Sequence, residues 1–145
     1  MTRVNFYIIE SGSDEATQLF ICRLTEKAWR QDNTVYIHAP NQALASQLDE
    51  ELWTFNPASF VPHQLTIQDC EDNTVLIGHP AGTEIPNTHH DVLINLDHEI
   101  PSFFSQFDRV AEVVAADDAS KEKGRERYRF YKDRGYALET HKLTL

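Results

Sequence analysis

Short apolar runs alternate with longer amphipathic stretches along the chain, and this alternation restricts its possible folds more than any other feature of the sequence. The short runs resemble buried parallel strands; they read VNFYII, TVYIHA, TVLIGHP, DVLINL and RVAEVVA. Residues 13–31, 42–55 and 118–134 instead space their apolar side chains as one face of a helix does. The alternation predicts a mostly parallel, Rossmann-like α/β sheet with helices on both faces.

The first predicted helix carries a recognisable start and a definite apolar face. Ser13 precedes Asp14 and Glu15, a pattern typical of an N-cap followed by acids that favour the helix dipole. Helical spacing places these apolar residues toward the sheet: Ala16, Leu19, Phe20, Leu24 and Ala28.

Composition indicates one soluble domain spanning residues 1–145. The chain is 41% hydrophobic and 25% charged, which is ordinary for a globular protein. Its first residues lack the apolar run of a signal peptide, and no segment reaches the length of a membrane span. Cys22 and Cys70 have no CxxC spacing, so we expect reduced thiols and a cytoplasmic location.

The loop after the first strand argues against nucleotide chemistry. It reads IESGSDE, with one glycine and several acids that would repel phosphate, so we expect no phosphate-binding loop and no cofactor. The histidines near position 90 lack a spacing that would converge ligands on a metal. No nucleophile motif accompanies either cysteine, so we also expect no catalytic and no metal site.

Positive charge is concentrated at the end of an acidic chain. The formal net charge is -10, yet residues 117–145 hold eight of the 13 Lys and Arg residues and six of the 23 acids. Within the last helix, spacings of three and four place a cationic stripe around one aromatic ring, with Arg129 beside it: Lys121, Arg125, Tyr128 and Lys132. Tyr131 instead points to the core.

Such a stripe has two possible meanings. It can bind the carboxylates of an acidic peptide that ends in a hydrophobic residue, with the Tyr128 ring as an apolar wall. It can also bind a short piece of single-stranded nucleic acid. The ordinary alternative is a solvated helix face.

Two aromatic stretches are unusual for a core. DEELWTF places Trp53 at the end of an acidic helix, and SFVPH places Phe60 ahead of Pro62 and His63 in an irregular region. Large aromatics often anchor interfaces. They can equally cover the edge of a sheet.

Taken together, NFYII, DEELWTF, SFVPH, DVLINL and RERYRFYKDRGY resemble, in order and rough spacing, the chi subunit of bacterial DNA polymerase III holoenzyme. The resemblance covers essentially the whole chain. It implies a non-enzymatic Rossmann-type protein of the clamp-loader assembly. Such a protein binds the psi subunit and the acidic C-terminal tail of single-stranded DNA-binding protein, which is rich in aspartate and ends in Pro-Phe.

The resemblance also assigns residues to these partners. The tail site would involve Lys121, Arg125, Tyr128 and Arg129, with Trp53 nearby and Lys132 adding longer-range attraction. The psi-binding surface would centre on this group: Phe60, Pro62 and His63. The resemblance also implies that a repair helicase shares that surface, that contact with DNA is indirect, and that no membrane is bound.

Two further expectations remain. Gly124 stands where the family usually has a helix former such as Ala, and we expect it to cost about 0.5–1 kcal/mol of helix stability. The alternative function is a direct single-stranded DNA-binding accessory protein that uses the same basic helix, although a net charge of -10 opposes an extended nucleic-acid path.

Overall fold

The computed structural model describes residues 2–56, 60–65, 74–80 and 89–145. These residues form one sheet of seven strands, all of them parallel, in the order β3-β4-β2-β5-β6-β1-β7. The strands are β1 Arg3–Ser11, β2 Val35–His38, β3 His63–Gln64, β4 Val75–Gly78, β5 Val92–Asn95, β6 Arg109–Val114 and β7 Ala137–Thr144. The helices are α1 Asp14–Arg30, α2 Gln42–Thr54 and α3 Asp118–Asp133, with a short 3-10 helix at Phe104–Gln106.

The predicted α/β class is confirmed, with helices on both faces of the sheet. Alternate residues of β2, β4 and β5 pack into two separate apolar clusters, as strand geometry requires. One cluster contains residues of α1 and α2, and the other contains residues of α3 and of the 3-10 helix. The sequence did not predict the two edge strands β3 and β7.

The inward face of α1 differs in part from the expected one. Its buried residues are Ile21, Cys22, Thr25 and Ala28. Phe20 and Leu24 pack against the same cluster but are only partly buried. The predicted N-cap is present, because the Ser13 hydroxyl accepts a hydrogen bond from the Ala16 amide at 3.1 Å. Asp117 caps α3 in the same way, accepting from the Ser120 amide at 3.0 Å.

The connection from β1 to α1 is short. Only Gly12 and Ser13 separate β1 from α1, and the first turn of that helix is acidic.

Burial raises the pKa of the Cys22 thiol to about 12. Cys70 and residues 81–88 lie outside the described residues. In the part of the chain that is described, no helix is long and apolar enough to cross a membrane.

Candidate functional site

A groove of about 640 Å³ lies between α3 and the strands β1, β6 and β7. Phe6, Ile8 and Val114 contribute apolar side chains to it. Tyr128 adds an aromatic wall, since its ring meets the Phe6 ring edge-on at a centroid distance of 5.4 Å. The groove therefore has an apolar, partly aromatic interior that is continuous with the core.

Four cations surround this apolar interior. Lys121, Arg125 and Arg129 come from α3, and Lys142 comes from β7. Among the residues that the structure describes, none of the four forms an ion pair with a protein carboxylate. Of the described residues that line the groove, Glu10 is the one acid. The site thus offers several unneutralised positive charges to an anionic ligand.

A buried polar network fixes the helix that carries three of these cations. Glu112 on β6 is fully buried, and its carboxylate accepts hydrogen bonds from Arg127 Nε at 2.9 Å and from the Tyr131 hydroxyl at 2.7 Å. Asn95 Nδ2 donates to the same carboxylate at 2.9 Å. Burial raises the pKa of Glu112, while Arg127 and these hydrogen bonds oppose the rise. The network joins α3 to the middle of the sheet.

Gly124 lets the same helix approach the sheet closely. A Cβ atom at this position would lie 2.9 Å from Val114 Cγ2 and 3.0 Å from Val114 Cγ1. Val side chains have little freedom at χ1, so the overlap is not easily relieved. The expected helix-propensity cost of Gly124 is thus accompanied by a packing role, because a side chain here would overlap Val114 where α3 packs against β6.

The structure brings together most of the predicted cationic stripe. Lys121, Arg125, Tyr128 and Arg129 all line the groove, whereas Lys132 is exposed on α3 and does not line it. Tyr131 is fully buried, as expected. Sequence reasoning missed Lys142 and Glu10, because neither belongs to a recognisable motif and β7 was not predicted.

Trp53 lies away from the groove. It is 51% exposed at the end of α2, where its ring contacts the rings of Phe60 at 5.5 Å and His63 at 4.5 Å. Phe60 is 62% exposed, and Leu65 nearby in sequence is 43% exposed. Trp53 and Phe60 form an exposed aromatic patch, defined here as these two residues, beside β3 at the opposite edge of the sheet.

His63 lies against the Trp53 ring of this aromatic patch. It is buried, with Nδ1 2.6 Å from the carbonyl oxygen of Val61 and Nε2 2.8 Å from the carbonyl oxygen of Asp49. These contacts tie the chain before β3 to α2. Pro62 is half-buried between Val61 and His63.

His89, one of the histidines near position 90, contacts a backbone carbonyl group. His89 is buried, and its Nε2 lies 2.6 Å from the carbonyl oxygen of Thr74. Within residues 2–56, 60–65, 74–80 and 89–145, no group of three His, Cys, Asp or Glu side chains is arranged to hold a metal ion.

These features define a Rossmann-like α/β protein with a cation-rimmed apolar groove at one edge of its sheet and an exposed aromatic patch at the other. Residues 1–139 match the family described as DNA polymerase III chi subunit, HolC. The chain belongs to this family, which confirms the resemblance drawn from the sequence.

Curated relatives named DNA polymerase III subunit chi agree with this assignment. The protein of Pseudomonas aeruginosa is 44% identical over 144 residues, covering 99% of this chain and 98% of that relative. The protein of Haemophilus influenzae is 32% identical, covering 95% of both chains. The protein of Escherichia coli K12 is 29% identical, covering 97% of both chains.

The fold also occurs in a solved structure of low sequence identity. The crystal structure of T4 UvsW matches with a TM-score of 0.70 and 8% sequence identity. The match covers 99% of this chain and 42% of the UvsW chain. At this identity the likeness concerns the fold alone.

Proposed function

We propose that the chain acts as a non-enzymatic adaptor of the replisome, as one domain over residues 1–145 in the cytoplasm. It binds the psi subunit within the clamp-loader complex. It also binds the acidic C-terminal tail of single-stranded DNA-binding protein, and so links the polymerase holoenzyme to coated single-stranded DNA during replication. DNA is contacted only through these partners.

The groove beside α3 is the observation that carries the tail-binding proposal. A protein of net charge -10 places four cations, unpaired within the described part of the chain, around an apolar floor in one cavity. An aspartate-rich peptide ending in Pro-Phe matches both properties, because its acids meet the cations and its last ring meets apolar side chains. Arg125 grips the terminal carboxylate or a nearby aspartate, and Tyr128 with Phe6 holds the terminal Phe.

The remaining cations act at longer range. Lys121 and Arg129 flank the central pair within the groove, and Lys132 on the exposed side of α3 adds attraction without direct contact. A flexible tail loses entropy on binding, so one site is weak, with a Kd on the order of micromolar. Several tails on one oligomer raise the overall avidity.

Mixing the chain with single-stranded DNA-binding protein tests this role. The two should co-elute when the tail is intact and separate when it is deleted. Arg125→Ala should weaken the interaction at least about tenfold, because a charge-assisted contact is lost. Lys123→Ala is the matched control, since Lys123 lies on the same helix, pairs with Glu126 at 3.5 Å and does not line the groove. Equal losses in both variants would refute the site.

The aromatic patch beside β3 supports the proposed psi-binding surface. Phe60 is the most exposed of its large apolar residues, and its neighbours Pro62 and His63 give it a defined base. Exposed aromatics on a rigid base are typical anchors of protein interfaces. In the structure Trp53 packs with this group, so we propose that it contributes here. A repair helicase would use the same surface.

Phe60→Ala tests the second surface. The variant should retain its thermal stability and its binding to the tail, yet lose co-purification with psi. Leu145→Ala is the control, because Leu145 is also exposed, at 44%, but lies past β7 at the other edge of the sheet. Psi binding that survives Phe60→Ala would remove this surface from the proposal.

Direct binding of single-stranded DNA is the alternative use of the same cations. The groove is less suited to it, because Glu10 lines it and the rest of the protein is acidic. Tight binding of a free oligonucleotide at physiological salt would favour this alternative.

A further inference from the structure

β7 supplies the wall of the groove that faces α3. The strand runs parallel to β1, with Thr140 paired to Phe6 and Lys142 paired to Ile8. Paired residues of neighbouring strands point to the same face of a sheet. Thr140 and Lys142 therefore rise beside the apolar floor and line the groove with it. Lys142 brings a positive charge from a different element than the other three cations.

The groove has two distinct ends. Tyr128 packs on Phe6, whereas Gly124 faces Val114, which pairs with Ile8 of β1 two residues farther along the strand. The helix therefore runs antiparallel to the strands. Its earlier residue Lys121 belongs at the end where Ile8, Lys142 and Glu10 lie. The aromatic end suits an apolar ligand residue, and this charged end forms the mouth.

Glu10 continues the row of β1 side chains that faces the groove. Side chains two residues apart on a strand point to the same face, so Glu10 follows Phe6 and Ile8 along the groove. The pairing of β1 with β7 shifts between Ile9 and Ser11, so Glu10 lies where this pairing is irregular. Glu10 is exposed and forms no ion pair with Lys142, so within the described residues the mouth holds one free charge of each sign from β1 and β7.

We infer that Lys142 and Glu10 determine which positions of a bound peptide can carry acids. Building on the proposed tail binding, the terminal apolar residue occupies the aromatic end of the groove, against the wall that Tyr128 and Phe6 form together, and the preceding residues leave through the mouth. An acid beside Lys142 is attracted, and an acid beside Glu10 is repelled. The mouth thus selects a peptide whose acids lie at particular distances from its apolar end.

Neutralising each residue tests the inference. The probe is a synthetic peptide of several aspartates followed by Pro-Phe with a free carboxylate, titrated by fluorescence anisotropy at low salt. Lys142→Gln should weaken binding about threefold and Glu10→Gln should strengthen it about threefold, since single exposed charges have modest effects. Lys123→Gln and Glu122→Gln make the same charge changes on α3 outside the groove and should change the Kd little.

A series of peptides with one Asp→Asn change each locates the contacts. The effect of Lys142→Gln should vanish for one peptide of the series, and the effect of Glu10→Gln for a different one. Effects that equal those of the matched controls, or that are spread evenly over all positions, would overturn the inference. If the unaltered protein does not bind the peptide, or if Arg125→Ala leaves binding unchanged, the proposed function is refuted instead.

Discussion

Glu112 shows how a single residue can hold helix α3 in place. Its carboxylate has no solvent exposure, and Arg127 and Tyr131 of α3 both donate hydrogen bonds to it. Arg127 also donates to the carbonyl oxygen of His98 at 3.1 Å. Such a pair is costly to break, because the partner that remains is a buried charge without compensation.

Separate and joint substitution of the pair should give very different losses of stability. Glu112→Gln and Arg127→Met should each lower the free energy of unfolding by about 3–5 kcal/mol, measured by urea denaturation at neutral pH. The double variant Glu112→Gln/Arg127→Met should lose less than the sum of the two single losses, since no unpaired charge remains.

An exposed ion pair on the same helix provides the comparison. Lys123 and Glu126 lie 3.5 Å apart and are about half exposed, so Lys123→Met should cost at most about 1 kcal/mol. Equal costs for Lys123→Met and Arg127→Met would contradict the role given to the buried network.

At the scale of elements, the groove depends on how closely α3 approaches β6. Gly124 is buried against Val114, and both residues line the groove. A larger residue would separate the helix from the strand or displace Val114. The gain in helix propensity and the loss in packing therefore act in opposite directions.

Gly124→Ala should destabilise the protein by about 1–3 kcal/mol, because overpacking outweighs the helix-propensity gain of about 0.5–1 kcal/mol. Thermal or urea unfolding measures the change. When Val114→Ala is already present, adding Gly124→Ala should be neutral or stabilising. If Gly124→Ala alone made the protein more stable, the close approach of α3 to β6 would not contribute to the free energy of unfolding.

The sequence was sufficient to predict the elements that have clear periodicity. The apolar strands, the N-cap at Ser13 and the cationic stripe of α3 are local patterns, and the structure contains them. The buried face of α1 was predicted less well, because Ile21 and Thr25 are buried too and local spacing does not show which residues the neighbouring elements cover.

Features that depend on distant parts of the chain could not be predicted. β7 is largely exposed and has a mixed polar sequence, so neither it nor Lys142 was recognised. The partnership of Glu112 with Arg127 joins residues on two elements, and Trp53 meets Phe60 only because α2 ends beside β3. Tertiary contacts, which local patterns do not specify, fix all three.

For the whole molecule, the two proposed surfaces lie at opposite edges of one sheet. β3 and β7 are separated by six strand spacings, which is about 29 Å. Occupancy of the aromatic patch beside β3 therefore leaves the groove beside α3 open. This arrangement suits an adaptor that holds two partners at once.

Charge distribution acts at the same scale. The body of the protein is acidic, and the groove concentrates cations where an acidic peptide is proposed to bind. The surrounding acids repel extended polyanions, while a short tail meets mainly the local positive charge. Because exposed charges are screened within about 8–10 Å at physiological ionic strength, added salt should weaken this binding.

The most direct test is an isothermal titration of the tail peptide, compared with the same peptide lacking its final Phe. We predict saturable one-to-one binding with a Kd on the order of micromolar for the full peptide. The shortened peptide should give no measurable binding, because the apolar end of the groove beside Tyr128 is left unfilled. Equal affinity for the two peptides would contradict the account, since the groove would then act as an unspecific cationic surface.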